Sequence, residues 1–169
     1  LNTRSTAVFT KGEQLFGFTE SAADLAAGAA PVLVEGPMDA IAVTLAANGE
    51  YIGIAPLGTA FTEAQAAQLK RCVQDPDRIV IATDPDAAGW QSAQRAFWRL
   101  AALRVNPQHV PLFEGVDPAE LLRTRGPDAL AERLAASTEF AGGLIDRLLD
   151  ERLTTHSDAF SRVDHSRED

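Results

Sequence analysis

The 169-residue chain has little cysteine, and it has no long hydrophobic run. A single cysteine, Cys72, cannot form an internal disulfide, and no set of cysteines and histidines has the spacing of a zinc site. No apolar stretch approaches the ~20 residues needed to cross a bilayer. The first residues also lack the basic-then-apolar plan of a signal peptide. We therefore expect a protein of the reducing cytoplasm with no membrane segment, and the start at Leu1 indicates a piece of a longer protein.

Basic residues are also few, with 15 Lys and Arg against 24 Asp and Glu and a net charge of −9. Proteins that bind nucleic acid usually carry a basic surface, so this balance argues against strong independent DNA binding. It does not argue against chemistry on DNA, because a metal site requires carboxylates of its own. A basic partner domain could supply the grip on nucleic acid.

Short apolar strands alternate with helical patterns along the chain. The expected strands lie at residues 16–18, 31–34, 51–55, 78–83 and 109–113. The expected helices lie at residues 21–27, 38–48, 62–72, 87–103, 117–122, 127–136 and 138–153. This alternation predicts an α/β fold with a mostly parallel sheet.

Acidic residues follow two of these strands directly. Glu35 directly follows the expected strand at 31–34, and Asp84-Pro85-Asp86 directly follows the expected strand at 78–83. Functional residues collect at the carboxyl ends of such strands. Burial and mutual repulsion would oppose three charges at one rim, and a divalent cation removes both problems. Taken singly, Asp84 or Asp86 could serve the following helix as a cap or dipole partner, and Glu35 could be a solvated loop acid. The three together favour a metal site.

Several segments, in this order, resemble parts of a known family. Residues 34–40 resemble the glutamate motif of Toprim domains, most closely the Glu-Gly-x-Met-Asp form of DnaG-type primases. Residues 56–60 resemble the Leu-Gly-Thr turn of that family, and residues 84–89 resemble its Asp-x-Asp motif. The flanking residues 9–17 and 114–118 are similar to primase segments on either side of the Toprim domain.

The resemblance implies a Rossmann-like, four-stranded, mostly parallel sheet flanked by helices. It implies an N-terminal primase-core segment at residues 1–30, a Toprim domain at 31–115 and a helical segment at 116–155. The polar residues 156–169 are expected to form a flexible tail.

The resemblance also implies the activity, which is metal-dependent synthesis of RNA primers on a single-stranded DNA template from ribonucleoside triphosphates. A replicative helicase would bind through regions outside this chain. The implied cofactors are two or more Mg²⁺ or Mn²⁺ ions. The implied catalytic residues are Glu35, Asp84 and Asp86, joined as metal ligands by Asp117. The implied nucleotide- or template-binding residues are Lys11, Asp39, Gly58 and Thr59.

Three residues depart from the family pattern. Pro85 replaces a glycine between the aspartates, Ala119 replaces an acid two residues after Asp117, and Pro37 replaces an aromatic residue. These changes leave two alternatives open, a Toprim nuclease and a non-catalytic Toprim module of a plasmid or phage protein. The zinc-binding and basic N-terminal parts of a primase lie outside the chain, so we expect the isolated fragment to prime weakly or not at all.

Aromatic and basic residues on the fourth helix pattern have competing interpretations. Arg95 and Arg99 could line a phosphate path, although an exposed helical face is the simpler interpretation. Trp90 and Trp98 could stack on bases. Packing against the sheet is the favoured role of Trp98, and Cys72 is expected to be a small buried residue.

Overall fold

The computed structural model describes residues 10–57, 60–84, 86–110 and 116–149. The strands are β1 (Leu15–Phe16), β2 (Ala30–Leu33), β3 (Tyr51–Pro56), β4 (Val80–Ile81), β5 (Gln108–His109) and β6 (Thr138–Glu139). The helices are α1 (Ala22–Ala26), α2 (Pro37–Ala46), α3 (Glu63–Cys72), α4 (Ala87–Ala102), α5 (Pro118–Arg125), α6 (Pro127–Ala135) and α7 (140–149). Short 3₁₀ turns lie at Lys11–Glu13 and Pro76–Arg78.

The strands form one six-stranded sheet in the order β1-β3-β2-β4-β5-β6. The inner four, β3, β2, β4 and β5, are parallel to one another. The two-residue strands β1 and β6 add antiparallel edges. The predicted α/β fold with a mostly parallel sheet is therefore confirmed, and helix α7 begins two residues later than predicted because Thr138 and Glu139 pair with β5.

Two apolar layers cover the sheet. One contains aromatic side chains from the segments around α1, α3, α4 and α7, including Phe18, Phe97 and Phe140. The other is built from the aliphatic side chains of α2, α5 and α6, such as Val43 and Leu121. Because parallel strands have both faces covered, their carboxyl ends are the edge left to carry polar groups.

Helix α2 lies unusually close to β3. A Cβ added to Gly53 would come within 2.1 Å of the Ala40 carbonyl oxygen, so only glycine fits there. The Thr44 hydroxyl accepts a hydrogen bond from the Gly53 amide at 3.0 Å and donates to the Ala40 carbonyl at 3.0 Å. The small side chains of α2 therefore face the sheet. Its larger apolar residues, Met38 and Leu45, are each 67% exposed.

Two expectations about single residues are wrong. Trp98 does not pack against the sheet, since 61% of its surface is exposed. Cys72 lies in the last turn of α3 and is exposed rather than buried. The expected strand at 109–113 begins one residue earlier, at Gln108. The end of that expected strand, the end of the expected helix at 138–153 and the whole expected tail at 156–169 lie outside the described residues. In the parts of the chain described here, no helix combines the length and apolar character needed to cross a bilayer.

Candidate active site

Glu35 and Asp84 meet at the carboxyl ends of neighbouring strands. Strands β2 and β4 are parallel, with Leu33 opposite Ile81, so the residues that follow them emerge at the same edge of the sheet. The Asp84 amide donates a hydrogen bond to Glu35 Oε1 at 3.2 Å. This contact joins two segments 49 residues apart in the chain and brings the two acidic motifs together.

Asp86 and Asp117 hold the starts of two helices. Asp86 Oδ1 accepts from the Gly89 amide at 2.7 Å and caps α4. Asp117 Oδ1 accepts from the Glu120 amide at 2.6 Å and caps α5. A capping carboxylate satisfies an amide that the helix itself leaves unpaired and favours the positive end of the helix dipole. The cap of α4 is thus Asp86, not Asp84.

Asp39 connects α2 to α5. Its Oδ1 accepts from the Ala119 amide at 3.2 Å, although the two residues are 80 positions apart. Ala119 occupies the position where the family pattern has an acid, and its contact with Asp39 is made by its backbone N–H. The first turn of α5 therefore donates to two carboxylates. Asp117 is the N-cap of α5 itself, whereas Asp39 belongs to α2.

These five side chains, Glu35, Asp39, Asp84, Asp86 and Asp117, form what we call the carboxylate cluster. Burial raises the pKa of Glu35, and the charges of Asp84, Asp86 and Asp39 raise it further, against a lowering by the Asp84 hydrogen bond. Burial, then Asp117 and Asp86, raise the pKa of Asp84. Burial also raises the pKa of Asp39, with Asp117 and Asp84 adding to it and the Ala119 hydrogen bond opposing it. Burial and the mutual repulsion of these acids therefore both disfavour their ionised forms at this edge of the sheet.

Gly89 fixes the distance between β4 and α4 at this cluster. A Cβ at this position would lie 2.0 Å from the Asp84 carbonyl oxygen, and the Gly89 amide donates to Asp86. One glycine therefore contacts both aspartates of the Asp-x-Asp motif. A side chain there would push the start of α4 away from the strand.

The carboxylates do not form a ready-made cage. Within the described residues, no three or more His, Cys, Asp or Glu side chains are arranged to hold one metal ion. Mg²⁺ nevertheless binds commonly through one or two carboxylates and completes its shell with waters and substrate phosphates. An electronegative cluster with raised pKa values suits such an ion, and divalent-metal dependence is general among Toprim primases.

Sequence reasoning missed a cavity beside Glu35. It has a volume of about 390 Å³, and its polar lining includes Glu35, Thr83, Ser92 and Arg95. Ser92 and Arg95 are three residues apart on α4, a spacing that puts both on one face of the helix and that could have indicated the cavity. The cavity gives the cluster a neighbouring space with a cationic side chain at its wall.

The remaining predicted residues are placed less completely. Gly58, Thr59 and Pro85 lie outside the described residues. Lys11 belongs to the 3₁₀ turn Lys11–Glu13. That segment is tied to α3, because the hydroxyl of Thr62 donates to the Gly12 carbonyl at 2.5 Å. The buried amide of Gln65 donates to the Gln14 carbonyl at 2.7 Å.

Comparison with known proteins identifies the module. Residues 32–122 match the family described as Toprim-like. The chain is 34% identical to the DNA primase of Streptomyces coelicolor over 146 residues, which is 83% of this chain and 22% of that protein. The crystal structure of the Aquifex aeolicus primase, with its zinc-binding and RNA polymerase domains, superposes with a TM-score of 0.75 at 32% identity. It covers 86% of this chain and 35% of that one.

A DnaG primase catalytic domain bound to single-stranded DNA also has a TM-score of 0.75, at 28% identity, over 89% of this chain and 47% of that one. The chain spans about a quarter of the length of the curated primases that it matches. The matched region 32–122 runs from β2 to α5, exceeds half of the 169 residues and contains the whole carboxylate cluster. The chain therefore belongs to the Toprim-like family, and it is similar to the Toprim modules of DnaG primases.

Proposed function

We propose that this chain is the catalytic Toprim module of a DnaG-type primase, which makes RNA primers on single-stranded DNA. The observation that carries the proposal is the contact between Glu35 and the Asp84 amide at the ends of β2 and β4. It gathers the acids of two motifs at the sheet edge where α/β enzymes place their chemistry.

Glu35, Asp84, Asp86 and Asp117 would hold two or more Mg²⁺ or Mn²⁺ ions. When bound, such ions activate an attacking hydroxyl and neutralise the charge of a phosphoryl group during transfer. The cap hydrogen bonds of Asp86 and Asp117 are compatible with this role, because an ionised carboxylate has two oxygens and about four acceptor sites. The second oxygen of each remains for an ion.

Asp39 would act mainly by positioning. Its hydrogen bond to the Ala119 amide fixes the first turn of α5, and with it the side chain of Asp117. Lys11, with Gly58 and Thr59, would contact the incoming nucleotide or the template. The tie from Thr62 to Gly12 supports a defined position for the segment that carries Lys11.

The proposed partners are a single-stranded DNA template and ribonucleoside triphosphates. The neighbour bound to single-stranded DNA supports the first of these. A replicative helicase would contact parts of the parent protein outside this chain. We propose the domain limits stated from the sequence, with Toprim at residues 31–115 and helices at 116–155.

The test is incorporation of labelled ribonucleotides on single-stranded DNA by the full parent protein with Mg²⁺ or Mn²⁺. Glu35→Gln and Asp84→Asn should abolish short RNA products, whereas Asp128→Asn, which removes an exposed carboxylate from the first turn of α6, should not. Cleavage of DNA without RNA synthesis would replace this proposal with a Toprim nuclease. Absence of both activities in folded protein would replace it with a non-catalytic module.

A further inference from the structure

The two tryptophans of the chain have opposite environments. Trp90 stacks on Phe140 at 5.5 Å, and the guanidinium of Arg147 lies 4.3 Å from the centre of its ring. Trp98 touches Phe97 edge-on at 5.0 Å and is otherwise 61% exposed. Trp98 therefore presents an indole face to solvent, and an aromatic face of this kind can stack on a nucleic-acid base.

Basic residues outnumber acidic ones on the two helices around Trp98. Helix α4 contains Arg95 and Arg99 and no acidic residue. Helix α3 ends in Lys70 and Arg71 and has Glu63 as its acidic residue. In a protein of net charge −9, this α3–α4 face is therefore locally basic. A polyanion would approach the molecule here rather than at the acidic majority of its surface.

Arg99 has an unused hydrogen-bond donor. Its Nε is buried and has no hydrogen-bond acceptor. Within the described part of the chain, no other buried side-chain nitrogen or oxygen lacks a hydrogen-bond partner. Its Nη1 makes only a long contact, 3.4 Å, to the Arg95 carbonyl. Buried donors in native proteins are normally paired with protein atoms, ordered water or an ion, so this N–H lacks the usual partner. Phosphate oxygens are favoured acceptors for this group.

These residues line a groove that reaches the carboxylate cluster. A cavity of about 450 Å³ is lined by Trp98, Arg95, Arg99 and Glu63. Arg95 also lines the cavity that contains Glu35. The two spaces thus share one wall, and Arg95 and Arg99 lie one helical turn apart, about 6 Å along the axis of α4.

We propose that this α4 groove binds a stretch of single-stranded DNA, with Trp98 stacked on a base and Arg95 and Arg99 on neighbouring phosphates. Aromatic platforms with adjacent cations are the usual means of binding single strands without sequence preference. The inference rests on the proposed function for the role of the strand as template, but the binding itself is measurable without any synthesis.

The experiment is a fluorescence-anisotropy titration of a labelled oligothymidylate of about 12 nucleotides with the 169-residue chain at low salt. Trp98→Ala should weaken binding about fivefold or more, and Trp98→Phe should restore most of the affinity because phenylalanine keeps a stacking face. Arg99→Gln should lower the slope of log affinity against log salt by about 0.7, the value for one phosphate contact on a single strand. Thermal unfolding of each variant identifies any loss of folded protein.

Matched controls lie on the opposite side of the sheet. Leu45→Ala removes an equally exposed apolar side chain from α2, and Arg123→Gln removes a cation from the exposed face of α5. Equal weakening by these controls would overturn the proposal, as would unchanged binding in folded Trp98→Ala. Tighter binding of an RNA oligomer of matched sequence would overturn the choice of DNA. RNA synthesis by the parent protein with no effect of Trp98→Ala on binding would leave the proposed function intact and remove only this inference.

Discussion

The carboxylate cluster contains two regions that look alike in sequence and differ in their contribution to the stability of the folded protein. At the strand ends, burial and the charges of neighbouring aspartates raise the pKa of both Glu35 and Asp84, which disfavours their ionised forms. At the helix starts, Asp86 and Asp117 each accept a short hydrogen bond from the backbone that they cap. The first region costs the metal-free protein stability, whereas the second contributes to it. Loss of activity on mutating a cap aspartate therefore does not by itself identify a metal ligand.

Gly89 contacts both regions, since it lies against the Asp84 carbonyl and donates to Asp86. Its replacement should therefore cause the largest loss of stability. Gly89→Ala would place a methyl group 2.0 Å from the Asp84 carbonyl oxygen, and relief requires moving backbone. We expect a loss of about 3 kcal/mol or more in the free energy of unfolding, measured by urea denaturation. The matched control is Gly142→Ala in α7, where the space is open. That control should be neutral or stabilising by up to about 1 kcal/mol.

Removing a cap should have the next largest effect. Asp86→Ala and Asp117→Ala should each lower the free energy of unfolding by about 1 kcal/mol without metal, because an amide of α4 or α5 loses its partner. Serine at the same positions also caps, so Asp86→Ser and Asp117→Ser should recover most of the loss. Equal losses in the serine and alanine variants would show that the caps do not account for the stability of these positions.

Asp39 shares a property with each region, because burial raises its pKa and it also accepts a hydrogen bond from the start of α5. Variants of Asp39 should show whether its charge or its hydrogen bond matters more for stability. Asp39→Asn keeps an oxygen that can accept from the Ala119 amide and removes the charge, so stability should change little. Asp39→Leu leaves that amide unpaired and should cost about 1 kcal/mol. Urea denaturation of both variants gives the comparison. A larger loss in Asp39→Asn than in Asp39→Leu would mean that the charge, not the hydrogen bond to α5, is what the fold requires.

The smallest stability effect is expected at Asp84, together with the largest effect on metal binding. Asp84→Asn removes a charge whose pKa is raised by burial, Asp117 and Asp86, so the metal-free melting temperature should stay constant or rise by about 1 °C. Mn²⁺ should raise the melting temperature of the unmodified chain and fail to do so in the variant. A variant that melts several degrees lower without metal would place Asp84 with the structural caps instead.

Periodicity and strand composition predicted most of the fold, because the buried apolar strands and amphipathic helices leave strong local patterns. The mostly parallel sheet and the helix limits of α2, α3 and α4 follow from them closely. The two-residue strands were harder, since β6 exists only through its pairing with β5. The buried face of α2 consists of alanine and valine, which the close approach at Gly53 requires to be small, while Met38 and Leu45 lie on the exposed face.

The sequence allowed the acidic residues of the candidate site to be named, but it did not indicate the hydrogen bonds that they make. The acids at strand ends could be named from the sequence, since parallel strands deliver their ends to one edge. The hydrogen bond from Ala119 to Asp39 spans 80 residues and involves a backbone group, so no side-chain pattern indicates it. The exposure of Trp98 likewise depends on which face of α4 turns toward the sheet, and the neighbouring Phe97 takes the buried place.

The hydrogen bond between Gln65 and the N-terminal segment shows which residues the Toprim module needs in order to fold as a unit. The buried side chain of Gln65 serves α3 through its cap and also binds the Gln14 carbonyl, while β1 adds an edge to β3. If the chain began at β2, the Gln65 amide would lose its hydrogen bond to Gln14 and the sheet would lose its β1 edge strand. A fragment that begins at β2 should therefore be less stable than one that includes residues 10–18, so the folding unit is longer than the unit that the motifs define.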